Sequence, residues 1–153
     1  MKKFIVIFFG LCIQLSCTTS TQHVKEERLQ DEKNTTDILR KIPSKFSGTI
    51  AAYNCDSIAI EVDLQATQFM LTLKYMGIGP DKRDSVFYEN GQWQINGVNE
   101  LNLISGTLDP VFSKYKIISE DHIMLLDSTG SEKTDGTRYI LTLMKDNNDA
   151  NGG

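Results

Sequence analysis

Cysteine, proline, histidine and tryptophan are all scarce in this chain of 153 residues, with three, three, two and one copies respectively. The shortages of cysteine and histidine each close off a class of protein. Cys12 and Cys17 fall at the N-terminus, so Cys55 stands alone in the body of the chain and a disulfide framework is excluded. His23 and His122 are too far apart in sequence to show metal-ligand spacing. No cluster of lysine and arginine offsets a net charge of −4, which argues against nucleic acid and against electrostatic attachment to anionic membranes. The longest apolar run, Phe4 to Ile13, is well short of the roughly 20 residues a membrane-spanning helix needs. Serines are plentiful, yet no Gly-x-Ser-x-Gly elbow accompanies them. Glu120, Asp121 and His122 imitate an acid–base set, but adjacent strand residues face opposite ways and the acids sit where a turn belongs. Asp109 before Pro110 also reads as a turn. No catalytic site is legible, and the chain is expected not to be an enzyme and to need no cofactor.

The N-terminus sets the expected compartment. Lys2 and Lys3, the apolar run after them and the Ser16-Cys17 junction form a secretory signal over residues 1–16. "QLSC" resembles the lipobox of bacterial lipoproteins, with Gln14 as a departure from its aliphatic preference. It implies that Cys17 carries a lipid and becomes the new N-terminus. Thr18, in place of an aspartate, resembles the enteric sorting signal for the outer membrane, with the domain facing the periplasm. Residues 17–45 are polar and charged, with no Phe, Tyr or Trp among them. They read as a flexible tether with at most a transient helix over Val24 to Lys33, because so little apolar surface does not offset the entropy of ordering. Residues 146–153 form a polar tail.

Between tether and tail, over 46–145, the hydrophobic period is two. Ile58, Ile60, Val62 and Leu64 alternate with small or acidic residues; Phe69, Leu71, Leu73 and Tyr75 do so with Met70, Thr72 and Lys74. Tyr139, Leu141 and Leu143 repeat the pattern, and shorter runs fit at 46–52, 85–95, 100–104, 111–118 and 122–126. Turn-rich stretches such as "GIGPDKRD" and "DSTGSEKTDG" separate them. About eight antiparallel strands with one apolar face each must stack as two sheets or close into a barrel, and closure removes the exposed edges. The expected fold is therefore an all-β antiparallel barrel. At "YENGQW" a tight Asn90-Gly91 hairpin competes with a bulge in one longer strand, and the short flanks favour the bulge.

"GTIAAYNCDSI", then "LKYMG", "ENGQW", "LNL", "IMLLDSTG" and "YILTL", resembles in order and spacing the N-terminal domain of NlpE-type envelope lipoproteins, the copper-resistance family. The resemblance implies a small lipocalin-like barrel in the envelope of a Gram-negative bacterium. It departs where the family has Cys-x-x-Cys, because here Ala52 stands at the first position and only Cys55 remains. Two sulfurs are needed to hold Cu(I) or to cycle between dithiol and disulfide, so a metal site is not expected. Met70, Met76, Met124 and Met144 are expected to pack rather than ligate, and Trp93 to plug the barrel. Three functions follow. The leading one is a non-enzymatic lipoprotein that senses or answers surface or copper stress through contact with an envelope protein. The others are a carrier of a small apolar ligand, and a lipid-anchored inhibitor or partner of a periplasmic enzyme. For protein contact the candidate loop holds Gly77, Pro80, Asp81, Lys82 and Arg83.

Overall fold

Alternating apolar residues give eight strands, and each strand's inward side chains meet those of its neighbours across one ring. The computed structural model describes residues 19–133 and 139–145, with the side chains of the N-terminal helix described from Val24 onward. The order is α1 (Thr19–Arg40), β1 (Ser44–Ile50), β2 (Ser57–Leu64), β3 (Gln68–Ile78), β4 (Arg83–Asn96), β5 (Glu100–Ile104), a 3-10 turn (Pro110–Phe112), β6 (Lys114–Ser119), β7 (His122–Leu125) and β8 (Ile140–Leu143). Every strand pairs antiparallel with the next, and β8 returns to β1, so the sheet is a closed barrel. The expectation of an all-β barrel of about eight strands holds.

Register puts Val62 opposite Leu71 and Ile60 opposite Leu73, and all four are buried. Phe46, Leu101, Tyr115, Ile117, Ile123, Leu125 and Leu141 fill the rest of the central interior. Gly48 lets β1 and β8 approach, since a Cβ there would lie 2.6 Å from the Ile140 carbonyl oxygen. The Asn90-Gly91 pair makes neither hairpin nor bulge. β4 runs through it in unbroken register with β3 from Gln92 to Ser85. Gly91 is required there because a Cβ would collide with the Ile104 carbonyl oxygen as β5 begins to diverge. The irregularity lies in β3 instead, between Tyr75 and Ile78, where Gly77 takes φ +68 against the Asp56 carboxylate. The run at 111–118 also starts later than its apolar pattern suggests. Asp109 accepts from the Val111 N–H at 3.0 Å and nucleates the 3-10 turn before β6.

The largest difference is at 17–45, expected as a flexible polar tether. Residues 19–40 form α1, and its last turns dock on the barrel. Ile38 is only 2 % exposed and belongs to the core. Asn34 donates to the Ile118 carbonyl at 2.8 Å, and the Thr35 hydroxyl donates to that of Val98. Lys41 pairs with Asp121 at 2.8 Å and Glu120 at 3.3 Å, so the Asp121 hydrogen bond raises the Lys41 pKa. Composition missed this because one buried apolar side chain, Ile38, suffices with satisfied polar groups around it. The first strand accordingly begins at Ser44, two residues before the expected boundary of 46. No helix among the described residues is long and apolar enough to cross a membrane. The signal segment 1–16, Cys17 and the tail 146–153 lie outside the described residues.

Candidate functional site

Up-and-down connectivity gives the barrel two ends of different character. The lower end holds the tight connections at 65–67, 97–99 and 120–121, with α1 docked nearby. The upper end holds the longer connections at 51–56, 79–82 and 105–113. It also holds the step between β4 and β5. β4 pairs with β3 from Gln92 up to Arg83, but with β5 only from Asn96 to Gln92. The upper half of β4 therefore overshoots its neighbour.

That overshoot opens the interior. A cavity of about 370 Å3 lies at the mouth, lined by Leu73, Tyr75 and Ile78 of β3, by Phe87, Tyr88 and Glu89 of β4, and by the 107–112 segment opposite. Tyr75 and Phe87 form its aromatic wall, with ring centroids 5.4 Å apart at 79°. Burial, with the Asp109 carboxylate adding to it, pushes the Tyr75 hydroxyl pKa up. Phe87 faces inward opposite Leu73 yet is 57 % exposed, because β5 has ended before it can be covered.

Glu89 is the inward carboxylate of this mouth. It accepts from the Ser105 hydroxyl and, at 2.7 Å, from the Thr107 hydroxyl, and these bonds hold its pKa below the usual value of 4.5. A carboxyl whose folded pKa is depressed stabilises the fold above its ordinary pKa, and that contribution is lost as pH falls through the lowered value. Urea denaturation in the acidic range below 4.5 should show this loss. Glu89→Gln should remove part of that acid-side slope, and an unchanged slope would mean the bonds to the 105–107 segment are not made in solution.

The sequence-predicted contact loop sits at the rim, where the structure ties it to the Cys55 loop. Lys82 pairs with Asp56 at 2.5 Å, and Asp84 is held by Lys74 at 3.0 Å and the Gly77 N–H at 3.2 Å. Gly77 is buried against Asp56, whereas Pro80, Asp81, Lys82 and Arg83 are exposed, with Arg83 3.5 Å from Asp81. Lys82 takes φ 52, which fits a tight hairpin. Cys55 is half-buried at the same end, packed with Ala52 against the core, and its thiol donates to the Ser57 carbonyl at 3.3 Å. His122 begins β7 at the opposite end, 3.0 Å from the Ser119 hydroxyl. Among the described residues there is no group of three or more His, Cys, Asp and Glu side chains that could hold a metal ion. Met124 is buried as expected, but Met70 and Met144 are exposed, since their positions face outward. Trp93 packs half-buried against the core and donates its indole N–H to the Gln65 carbonyl at 2.8 Å.

Cys55→Ser should fold with wild-type stability and leave Cu(I) binding unchanged and substoichiometric. A discrete mixed-disulfide band in trapped cell extracts, abolished by that variant, would instead make the thiol functional.

Sequence reasoning missed the mouth itself: Tyr75, Phe87, Glu89, Thr107, Leu108 and Phe112. One signal was present. Val86, Phe87 and Tyr88 are three consecutive apolar residues, so both faces of this strand carry apolar groups. Which of them would stay uncovered depended on where β5 stopped.

These features define a closed, antiparallel up-and-down barrel with one covered end and one open end. The family model for the NlpE N-terminal domain matches residues 46–136, and the chain belongs to that family. The crystal structure of a candidate lipoprotein from Shewanella oneidensis is similar, with a TM-score of 0.55 and 27 % identity over 67 % of this chain and 88 % of that one. No curated protein matches the chain.

Proposed function

We propose that this chain is a non-enzymatic envelope lipoprotein, anchored through Cys17 in the outer membrane, that answers surface stress through protein contacts at the upper end of its barrel. The carrying observation is the exposed apolar run on the overshooting half of β4, where Val86, Phe87 and Tyr88 are 44, 57 and 72 % exposed. Consecutive side chains on both faces of one strand, left open beside an apolar cavity, mark a contact surface rather than ordinary scattered exposure. The family, the lipoprotein-like structural neighbour and the Ser16-Cys17 junction support the envelope setting. A copper-stress role through a Cys-x-x-Cys pair is not part of the reading, because Ala52 removes one sulfur.

The cavity favours one alternative, a carrier of a small apolar molecule, since about 370 Å3 falls at the small end of ligand pockets. Photo-crosslinkers placed at Tyr88 and, as a control, at Thr49 on β1 decide between them in intact cells. Protein adducts formed at 88 and absent at 49 support the contact reading. Co-purified lipid with no adduct at either position supports the carrier. Anchoring has its own test. Cys17→Ala should move the protein from the membrane fraction to soluble periplasm or leave the precursor uncleaved, and a wild type that takes up no labelled fatty acid would sink it.

A further inference from the structure

The upper half of β4 has an unused hydrogen-bonding edge. The Trp93 N–H donates to the Thr67 carbonyl, and this pair continues the β3–β4 register. In an antiparallel ladder successive residues direct their backbone groups to opposite sides. Trp93, Gly91, Glu89, Phe87 and Ser85 therefore point theirs at β3, while Gln92, Tyr88, Val86 and Asp84 point away. Gln92 meets Ile104 of β5. Above it, among the described residues, no strand pairs with that side of β4. The Asn90 N–H is close enough to the Glu89 carboxylate to help lower its pKa. The backbone N–H and C=O groups of Asp84, Val86 and Tyr88 remain as an open edge.

This edge borders the mouth cavity, whose far wall is Thr107, Leu108, Asp109 and Phe112. The opening is thus a notch with β4 on one side and the 107–112 segment on the other, narrowing at Gly91 where β5 diverges.

We infer that the β4 edge at Asp84, Val86 and Tyr88 takes up an extended segment of a partner protein as an added strand, whose alternate side chains enter the mouth cavity. This rests on the protein-contact reading above and names its mode. Backbone bonds would supply the attachment, and the cavity the selection. Side chains entering it meet Leu73, Phe87, Leu108 and Phe112, together with the carboxylates of Glu89 and Asp109; no lysine or arginine lines it. The preferred segment therefore alternates, with apolar residues and one cation on the inward side and no acid there. A second copy of this chain fits less well. It would bring its own Asp84 and Glu89 to the notch and would have to insert a strand already backed by a barrel.

The probe is a capped heptapeptide of threonine alternating with two valines and one lysine, added to the full chain and followed by amide exchange. Binding at millimolar peptide or below should slow exchange at Asp84, Val86 and Tyr88 by about tenfold or more, with little change at the already paired Ser85, Phe87 and Glu89. Replacing the peptide's lysine by glutamate should weaken binding by about tenfold, as expected for a like charge beside partly exposed carboxylates. Val86→Pro removes an edge-facing donor and leaves the β3 ladder intact, so it should fold and lose peptide protection. If that variant misfolds, Leu108→Arg tests the cavity instead and should reverse the charge preference. The inference is overturned by no protection at millimolar peptide, by protection in the Val86→Pro barrel equal to wild type, by peptide-independent protection that rises with protein concentration and marks self-pairing, or by displacement of peptide only through small apolar probes. Adducts at residue 88 in cells that survive Val86→Pro would keep the protein-contact reading while removing the strand-addition mode.

Discussion

Leu71→Ala is expected to destabilise the barrel by about 2–5 kcal/mol, the range for emptying a fully buried leucine site. Leu71 has no solvent exposure and lies between Val62 on β2 and Glu89 on β4. Neighbours on a closed ring cannot collapse into the void without disturbing two ladders, which places the cost away from the bottom of that range. Thr72 is the internal control. It faces outward on the same strand, half-buried between Glu61 and Tyr88, and Thr72→Ala should cost under about 0.5 kcal/mol. Denaturant titration of both variants reads the difference. Equal losses would mean the inward and outward faces of β3 have been exchanged, because a shift of one residue moves every side chain to the other face.

The second large effect concerns the helix. Ile38→Asp asks the α1 docking site to accept a carboxylate among core side chains. The cheaper response is for the last turns of α1 to leave the barrel, which forfeits the burial of Ile38 and the hydrogen bonds of Asn34 and Thr35. Burial of one large aliphatic side chain contributes about 1.5–3 kcal/mol and each net hydrogen bond about 0.5–1.5, so a loss of about 3–5 kcal/mol is expected. Protease cleavage within 30–40 should accelerate in the same variant. Leu39→Asp, next along the helix but 43 % exposed, should change neither reading by much. If the two substitutions behave alike, α1 does not dock as described.

The two ends of the barrel are built differently. Docking of α1 covers polar and apolar groups at the lower end and fixes where the chain leaves the barrel toward its N-terminus. The upper end, with its step between β4 and β5, stays open. A stable lower end lets the mouth remain open at modest cost, since the central interior is filled independently by Phe46, Tyr115 and the aliphatic ring.

Much of the barrel was legible from period-two alternation because a strand's burial pattern is a local property. Ile58 to Leu64 and Phe69 to Leu73 display it without reference to anything else. The family was legible from ordered short motifs around Cys55, Gly91 and Trp93. The Asn90-Gly91 pair shows where local reading stops. Its turn chemistry is real, but β3 continues on one side and the Ile104 carbonyl approaches on the other, so tertiary pairing overrides the hairpin.

What the sequence determined by itself was the alternating core, the number of strands and the presence of a single cysteine, Cys55, in the barrel. Each is set by residue identity at short range. Only the tertiary structure decided that α1 docks through Ile38, that Lys82 is tied to Asp56, and that β4 overshoots β5 to leave an open edge above an acidic, aromatic mouth. Those features depend on where separate strands end relative to one another around a closed ring, and that relation is fixed by register, which no single segment of the chain encodes.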